Sequence, residues 1–457
     1  MQIQIQIPDK VDYILNILHS NGYEAYAVGG CVRDALLGRE PEDWDITTSA
    51  KPEQVKALFS RTIDTGLQHG TVTVMLDREG FEITTYRIDG TYEDGRHPKE
   101  VQFTGDLIED LKRRDFTINA MAYSKEDGIV DAFDGVGDLK RGVIKCVGDA
   151  RERFSEDALR MLRAVRFSGQ LGFEIEEKTK EAILEKADTL NKISAERIRV
   201  ELDKLLCSEH PMQLVTAQEL GITKIVLPEF DEMLATPQNH PHHQYNVGIH
   251  SLKSVENVHN FAKEANLDKK MYSILSWTAF LHDVGKPSCK TTDEQGVDHF
   301  YKHPAAGKEM ARKIMRRLRF DNYAIDTVCH LILYHDVRFS TKKGKMRKMM
   351  NKIGVEAMQY LFFMIRADIL SQSEYMREEK LEKLEMAQKL YTEVCEAKDC
   401  VTLKMLAVNG SDLLNAGFEK GKQMGEILNG LLEIVLEEPE KNQKDILLAL
   451  AKEKWGE

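Results

Sequence analysis

Long hydrophobic runs are missing from this 457-residue chain, and no apolar stretch is long enough to span a bilayer, which excludes a helical membrane anchor. Cysteine is scarce. The seven present (Cys31, Cys146, Cys207, Cys289, Cys329, Cys395, Cys400) include no Cys-x-x-Cys pair and make an odd total, which argues for reduced thiols and against a disulfide scaffold or zinc knuckle. The N-terminal MQIQIQIPDK lacks the basic start and apolar core of a signal peptide, so a cytoplasmic location is expected. Positive charge is in deficit as well, with a formal net charge of −12. That bulk figure argues against a nucleic-acid partner, but phosphate contacts need only local positive charge. RKIMRRLR (312–319) and KKGKMRK (342–348) offer it. Hydrophobic residues at 42% and charged ones at 30% describe a globular protein, and the length exceeds one ordinary core, so three or four domains are expected.

Residues 1–148 read as mixed α/β. A helix from Pro8 carries Val11, Ile14, Leu15 and Leu18 at helical spacing, followed by strands near YEAYAV, WDITT, TVTVML and FEITTYR. Beyond them strand signals nearly vanish. Charged and apolar helical patterns follow, interrupted by the loop-like TPQNHPHHQYN (236–246), with a highly charged helix MREEKLEKLEMAQKL after residue 375. The expected fold class is α+β: a head (1–148), then an all-helical neck (149–215), body (216–375) and tail (376–457).

The most informative stretch is GGCVRDALLGREPEDWDI, Gly29 to Ile46. Gly29 and Gly30 follow an apolar strand and supply backbone that bends sharply and can approach a phosphate unobstructed, with Arg33 close behind. Asp43 and Asp45 flank Trp44 in the WDITT strand, where the two-residue period points both carboxylates to one face, an arrangement able to hold magnesium. The order strand, Gly-Gly, helix, Asp-x-Asp strand resembles the signature of the class II tRNA nucleotidyltransferase and bacterial poly(A) polymerase family.

Further segments carry the resemblance. Glu82 in FEITTYR is similar to a third carboxylate of the metal site, and DTGLQHGTVTVML, with Gly66 and the His69-Gly70-Thr71 turn, resembles a motif that shapes the site. KRRDFTINAMAY places Arg113, Arg114, Asp115 and Asn119 at the start of a helix, where a guanidinium fork and a helix N-terminus suit a triphosphate. The resemblance makes Arg114 a nucleotide contact and Asp115 with Asn119 organisers of the site. RIDGTYEDGRHPKEVQF (87–103) reads as a mobile loop similar to that of enzymes that finish with adenosine.

SEDALRMLRAVRFSGQLGF starts at a reasonable N-cap, Ser155. Asp157, Arg160, Arg163 and Arg166 recur every three residues along one stripe, and Leu159, Leu162 and Val165 face away by about 200°. The resemblance makes this the nucleotide-selecting helix, with Glu156, Asp157 and Arg160 as Glu-Asp-x-x-Arg. An ionised aspartate only accepts hydrogen bonds and an arginine only donates them, which complements the exocyclic amine and bare ring nitrogen of cytosine and adenine. In SAERIRVELDKLL (194–206), Glu196 and Arg197 are expected to brace that helix.

A second constellation comprises His250, His282 and Asp283 at the end of SILSWTAFLHDVGKP, His303, His335 with Asp336, and Asp368. It resembles the HD metallohydrolase superfamily, which implies His250, His282, Asp283 and Asp368 as ligands of a transition metal (Mn, Ni, Co, Fe or Zn), with His303 and His335 for a second ion or a phosphate. The tail VNGSDLLNAGFEKGKQMGEILNGLLEIV, with Ser411 as cap and Gly417, Gly421 and Gly425 four apart, permits close approach of a helix or phosphate backbone and is similar to the same family's tail.

The resemblance therefore implies Mg²⁺-dependent, template-independent CCA addition to tRNA from CTP and ATP. Asp43, Asp45 and Glu82 are its expected catalytic residues, and Gly29, Gly30, Arg33, Arg114, Asp157, Arg160, Arg163 and Arg166 its nucleotide contacts. No obligatory protein partner is expected, and the chain is a monomer or homodimer. Alternatives are an enzyme adding only the adenosine, a poly(A) polymerase, though the chain lacks the basic Arg-Phe element after Asp45, and an HD phosphohydrolase or 2′,3′-cyclic phosphodiesterase that docks RNA.

Overall fold

The computed structural model describes residues 4–90 and 101–456. The chain forms two compact units divided between Pro228 and Glu229. In the first, the helix expected after Pro8 spans Asp9–Ser20, and Val11, Ile14, Leu15 and Leu18 are its buried residues. The strands are β1 (Ala25–Val28), β2 (Ile46–Thr48), β3 (Thr62–Gly66), β4 (Thr71–Leu76), β5 (Glu79–Thr85), β6 (Arg87–Asp89), β7 (Val101–Phe103), β8 (Ala122–Ser124) and β9 (Gly128–Val130), with a separate two-residue parallel pair between Val143–Ile144 and Glu174–Ile175. Seven make one mixed sheet in the order β3-β4-β5-β2-β1-β8-β9, while β6 and β7 pair separately. Residues 91–100 of the expected mobile loop lie outside the described residues.

The strand pattern put Asp43 and Asp45 inside β2, but β2 begins at Ile46 and the carboxylates sit on its extended approach. Pro41 and four carboxylates between Glu40 and Asp45 disfavour extending the ladder further. Arg113 to Asn119 do not open a helix. Arg113 closes the helix Leu107–Lys112, and Thr117–Asn119 is a single 3₁₀ turn. The Asp115 carboxylate accepts from the Phe116 N–H at 2.8 Å, a local bond that competes with helix formation. Ser155 is no N-cap either. It lies inside the helix Ala150–Glu156, its Oγ donating to the Arg151 carbonyl at 2.7 Å, and a second helix, Leu159–Leu171, follows. Asp157 makes the break, because its carboxylate takes the Leu159 N–H at 3.0 Å.

The second unit is helical, apart from a two-residue strand pair between Thr291–Thr292 and Asp298–His299. Its centre is the helix Lys269–Leu281, buried from Ile274 to Leu281 on every side because it is apolar all round. Asp268 caps this helix and His282-Asp283 follow its last turn, so burial of the helix carries both side chains into the interior. The charged pattern after 375 forms the helix Arg377–Glu396. Asn409, not Ser411, caps the tail helix Gly410–Asn415: its side chain accepts from the N–H groups of Ser411 and Asp412, and Asp412 reciprocates on the Asn409 N–H at 3.0 Å. A Cβ built on Gly417, Gly421 or Gly425 would meet nothing within 4 Å.

The basic runs are largely spent inside this unit. Arg312 pairs with Asp326 at 2.9 Å and Arg317 with Glu229 at 2.6 Å. Lys343 pairs with Glu393 and Lys348 with Glu437, at 2.8 and 2.7 Å. Arg347 is buried, donating to the carbonyls of Leu436 and Glu437 and to Asp399.

Candidate active site

The sheet register assembles the head site. Ile46 of β2 lies opposite Ala27 of β1 on one side and Ile83 of β5 on the other. One step back, Asp45 therefore neighbours Glu82, and the Asp45 carbonyl accepts from the Val28 N–H at 2.9 Å, directly before Gly29-Gly30. Asp43, Asp45 and Glu82 line one cleft of 1390 Å³, together with Glu40, Glu42 and Glu79. Burial raises the pKa of Asp45, with Asp43 adding to the rise and Arg114 opposing it; burial likewise raises Glu82, helped by Asp45 and Asp43. Asp43 beside Asp45, and both beside Glu82, add to these rises, a crowding of negative charge that a divalent cation would relieve.

Gly29 has φ +83°, and a Cβ there would meet Arg114 Nη1 at 2.8 Å. The glycine thus makes room for a guanidinium. Arg114 leans on Asp110 at 3.9 Å and leaves its buried Nε without a hydrogen bond. Burial lowers its pKa against the pull of Asp110 and Asp45. Arg33 differs. It donates twice to Asp34, at 2.9 and 2.8 Å, and once to Asn119 at 2.6 Å, so its guanidinium is buried and held in place behind Gly29 and Gly30.

From Asn119 the tie continues. Asn119 donates to Asp115 at 3.1 Å, Arg163 donates to Asp115 at 2.8 and 2.6 Å, and Arg166 donates to Glu201 at 2.5 Å. Burial alone would raise the Asp115 pKa, but Arg163, Asn119 and Arg160 hold it far below the carboxylate range. Arg160 donates to Glu156 and to the carbonyls of Arg113 and Arg153. Asp157 receives Arg197. The amphipathic reading of this helix is corrected accordingly, since Arg160 and Arg166, once paired, are buried along with the leucines. Phe167, which the sequence reading overlooked, carries the guanidinium groups of Arg166, Arg33 and Arg163 at 3.7, 4.9 and 5.4 Å from its ring centroid. Its signal was spacing: Phe167 lies four residues after Arg163 on the same helix face.

The second unit brings the other constellation together. Side-chain ligand atoms of His250, His282 and Asp368 lie within 4.8 Å of one another, as do those of His282, Asp283 and His335. Each of four histidines turns Nδ1 to a backbone carbonyl: His250 to Ser371 at 3.4 Å, His282 to Ala279 at 2.7 Å, His303 to Phe300 at 2.8 Å and His335 to Ile332 at 2.7 Å. A carbonyl only accepts, so Nδ1 carries a proton and Nε2 points inward, and His303 Nε2 and His335 Nε2, 3.2 Å apart, share one further proton. His250 Nε2 faces Asp368 at 2.9 Å and His282 Nε2 faces Asp283 at 3.2 Å, and neither nitrogen makes a hydrogen bond. Imidazole nitrogens and carboxylates facing one another this closely suit either a shared proton or a metal cation between them. Burial opposes protonation of His282, yet Asp283 and Asp368 outweigh it and push its pKa up to about 10. Lys286, 2.7 Å from Asp283, was not foreseen.

The sequence matches the Poly A polymerase head domain over residues 25–145, "Probable RNA and SrmB- binding site of polymerase A" over 172–234, and tRNA nucleotidyltransferase domain 2 over 292–451. A CCA-adding enzyme of Lactiplantibacillus plantarum is 34% identical over 440 residues, which cover 96% of this chain and 94% of that protein. The chain belongs to the CCA-adding enzyme family. A relative of the same name from Lactobacillus delbrueckii subsp. bulgaricus is 56% identical over 200 residues, 44% of this chain and 50% of that protein. The crystal structure of the Bacillus stearothermophilus CCA-adding enzyme in complex with CTP superposes with a TM-score of 0.69 at 29% identity, covering 98% of each chain. Nucleotidyltransferases of this class use a divalent metal. No helix among the described residues is long and apolar enough to cross a membrane.

Proposed function

We propose that this chain adds C and A to the 3′ end of tRNA from CTP and ATP without a nucleic-acid template, releasing pyrophosphate, in the cytoplasm. The observation that carries this reading is the cleft in which Asp43, Asp45 and Glu82 meet beside Arg114. Mg²⁺ held by Asp43 and Asp45 would activate the tRNA 3′-hydroxyl and steady the leaving pyrophosphate. Arg114, whose Nε has no internal partner, holds the triphosphate across Gly29 and Gly30, with Arg33 positioning it through Asn119. Asp157 and Arg160 read the base edge as acceptor and donor, and Arg163 and Arg166 fix their helix. A mispaired polar group buried there costs about 1–3 kcal/mol, enough for two mismatches to reject uracil and guanine. The head (1–148) carries the chemistry, the neck (149–215) the selection, and the body (216–375) and tail (376–457) hold the RNA. Extension of a tRNA lacking its end tests this. CTP alone is expected to add cytidines, and both nucleotides to complete CCA; a long adenosine tail from ATP alone would favour the polymerase alternative.

A second activity is favoured by the inward Nε2 atoms. We infer that His250, His282, Asp283 and Asp368 hold a divalent transition metal that hydrolyses phosphate esters, 2′,3′-cyclic phosphates or 3′-phosphates of damaged RNA ends. When bound, the metal would lower the pKa of its water towards neutrality. Manganese-dependent hydrolysis of 2′,3′-cyclic AMP by the wild type and not by His282→Ala/Asp283→Ala tests it. Equal hydrolysis by both would leave the helical unit as a scaffold.

A further inference from the structure

The loop 236–246 folds against the histidine pocket and is pinned there. Lys286, which pairs with Asp283, donates to Gln238 Oε1 at 2.7 Å, and the Ser373 N–H donates to the His242 carbonyl at 2.9 Å. Its three histidines stand in ring contact in series. Tyr375 meets His242 with centroids 4.9 Å apart, His242 stacks on His240 at 5.0 Å and 22°, His240 meets His243 at 6.2 Å, and His243 meets His250 at 5.6 Å. One end of this series is therefore a metal-ligand candidate. The other is Tyr375, a large ring left 53% exposed.

A ring series that only filled the core would end in the interior. This one ends in water, beside a cation: Lys380 Nζ donates to His242 Nδ1 at 3.0 Å. Burial first, then nearby cations including Lys380, lowers the pKa of His240 and His242, so both rings are neutral at physiological pH and present flat π-faces. His243 Nδ1 is buried without a hydrogen bond, facing the same pocket as His250. Aromatic faces, a lysine and a buried unpaired imidazole beside a pocket proposed to act on phosphate esters match the parts of a nucleotide: base, phosphate and a hydrogen-bonding group between.

We propose that Tyr375, His242 and His240 form a base shelf at the mouth of the His250–His282 pocket, so that its ligand is a nucleotide with an unpaired base and not a bare phosphate ester. The inference rests on the metal-pocket reading above. Stacking of a base on aromatic side chains corresponds to about 5- to 150-fold in affinity.

The test uses the full-length protein loaded with Mn²⁺ and two probes in calorimetric titration, the non-hydrolysable 3′-methylenephosphonate analogue of guanosine 3′-monophosphate and inorganic phosphate. Guanine is chosen because the head is proposed to reject it, and His282→Ala/Asp283→Ala gives the signal from elsewhere. The expected result is that wild type binds the guanosine analogue at least fivefold tighter than phosphate. Tyr375→Ala and His242→Ala each remove most of that preference without changing phosphate affinity, and Tyr375→Phe keeps it. Equal affinities in wild type, or alanine variants that lose nothing or lose both probes alike, overturn the shelf while bound Mn²⁺ leaves the pocket standing. A wild type that binds no Mn²⁺ overturns pocket and shelf together.

Discussion

The Arg197 guanidinium donates to both oxygens of Asp157, at 3.3 and 2.6 Å, across the break between the helices Ala150–Glu156 and Leu159–Leu171. The carboxylate proposed to read the base is thereby held in one orientation by a residue 40 positions away. Its remaining acceptor capacity, and not a flexible search, meets the exocyclic amine.

Removing that brace should cost selectivity before it costs fold. Arg197→Ala is expected to lower discrimination of CTP over UTP by about tenfold, one hydrogen bond to a charged group, and Arg197→Lys to restore part of it. Single-turnover incorporation of each nucleotide checks this, and unchanged discrimination would remove Arg197 from the selecting machinery. Asp157→Ala should lose selectivity and rate together.

Asp43→Ala or Asp45→Ala should reduce nucleotide addition by more than about a thousandfold, the scale of a lost electrostatic clamp, while tRNA binding stays within about twofold. Incorporation kinetics and filter binding separate the two. Near-normal incorporation by both variants would sink the proposed metal role.

The Asp115–Arg163 pair predicts a pH dependence. The folded pKa of Asp115 is depressed, so its contribution to stability is fully present above the unfolded value of about 3.9 and is lost as pH falls towards the much lower folded value. Asp115→Asn should therefore destabilise the first unit at neutral pH and flatten its acid unfolding below about pH 4. Thermal unfolding of wild type and variant between neutrality and pH 3 reads both effects, and parallel curves would remove Asp115 as the titrating group.

Arg347 ties the helix Lys343–Ile353 to the end of the helix Lys422–Glu437, with its side chain 5% exposed. Arg347→Ala leaves two carbonyls and Asp399 without their donor and should cost about 3 kcal/mol, read as a lower urea midpoint for the second unit. A phosphate-binding role for Arg347 predicts the opposite pattern: normal stability and weaker tRNA binding at low salt.

His282→Ala should abolish binding of Mn²⁺ to the second unit while CCA addition proceeds at the wild-type rate. Metal analysis after dialysis, beside the incorporation assay, decides it. Manganese retained in equal amount would show that the histidine pocket is not where it binds.

Much of this protein is local and therefore legible along the chain. The helix of Val11, Ile14, Leu15 and Leu18, the Gly-Gly turn and the all-apolar helix that ends in His282-Asp283 follow from periodicity and backbone freedom, which depend on neighbours a few residues away. Grouping His250 with Asp368, 118 positions apart, came from the resemblance to the HD superfamily and not from spacing, because periodicity along one helix says nothing about a partner on another. Tertiary packing decided the rest. Nothing local distinguishes Arg33, tied to Asn119, from Arg114, whose Nε is left over, because each guanidinium takes whichever acceptor the folded backbone brings to it. The break at Asp157 arose in the same way: a carboxylate between two helix-forming stretches can cap either or neither, and Arg197 arriving from a distant helix, together with the Leu159 N–H, holds the capped geometry. Burial of the arginine stripe on Leu159–Leu171 also needed partners supplied by Asp115 and Glu201, since an unpaired guanidinium stays in water and a paired one can leave it.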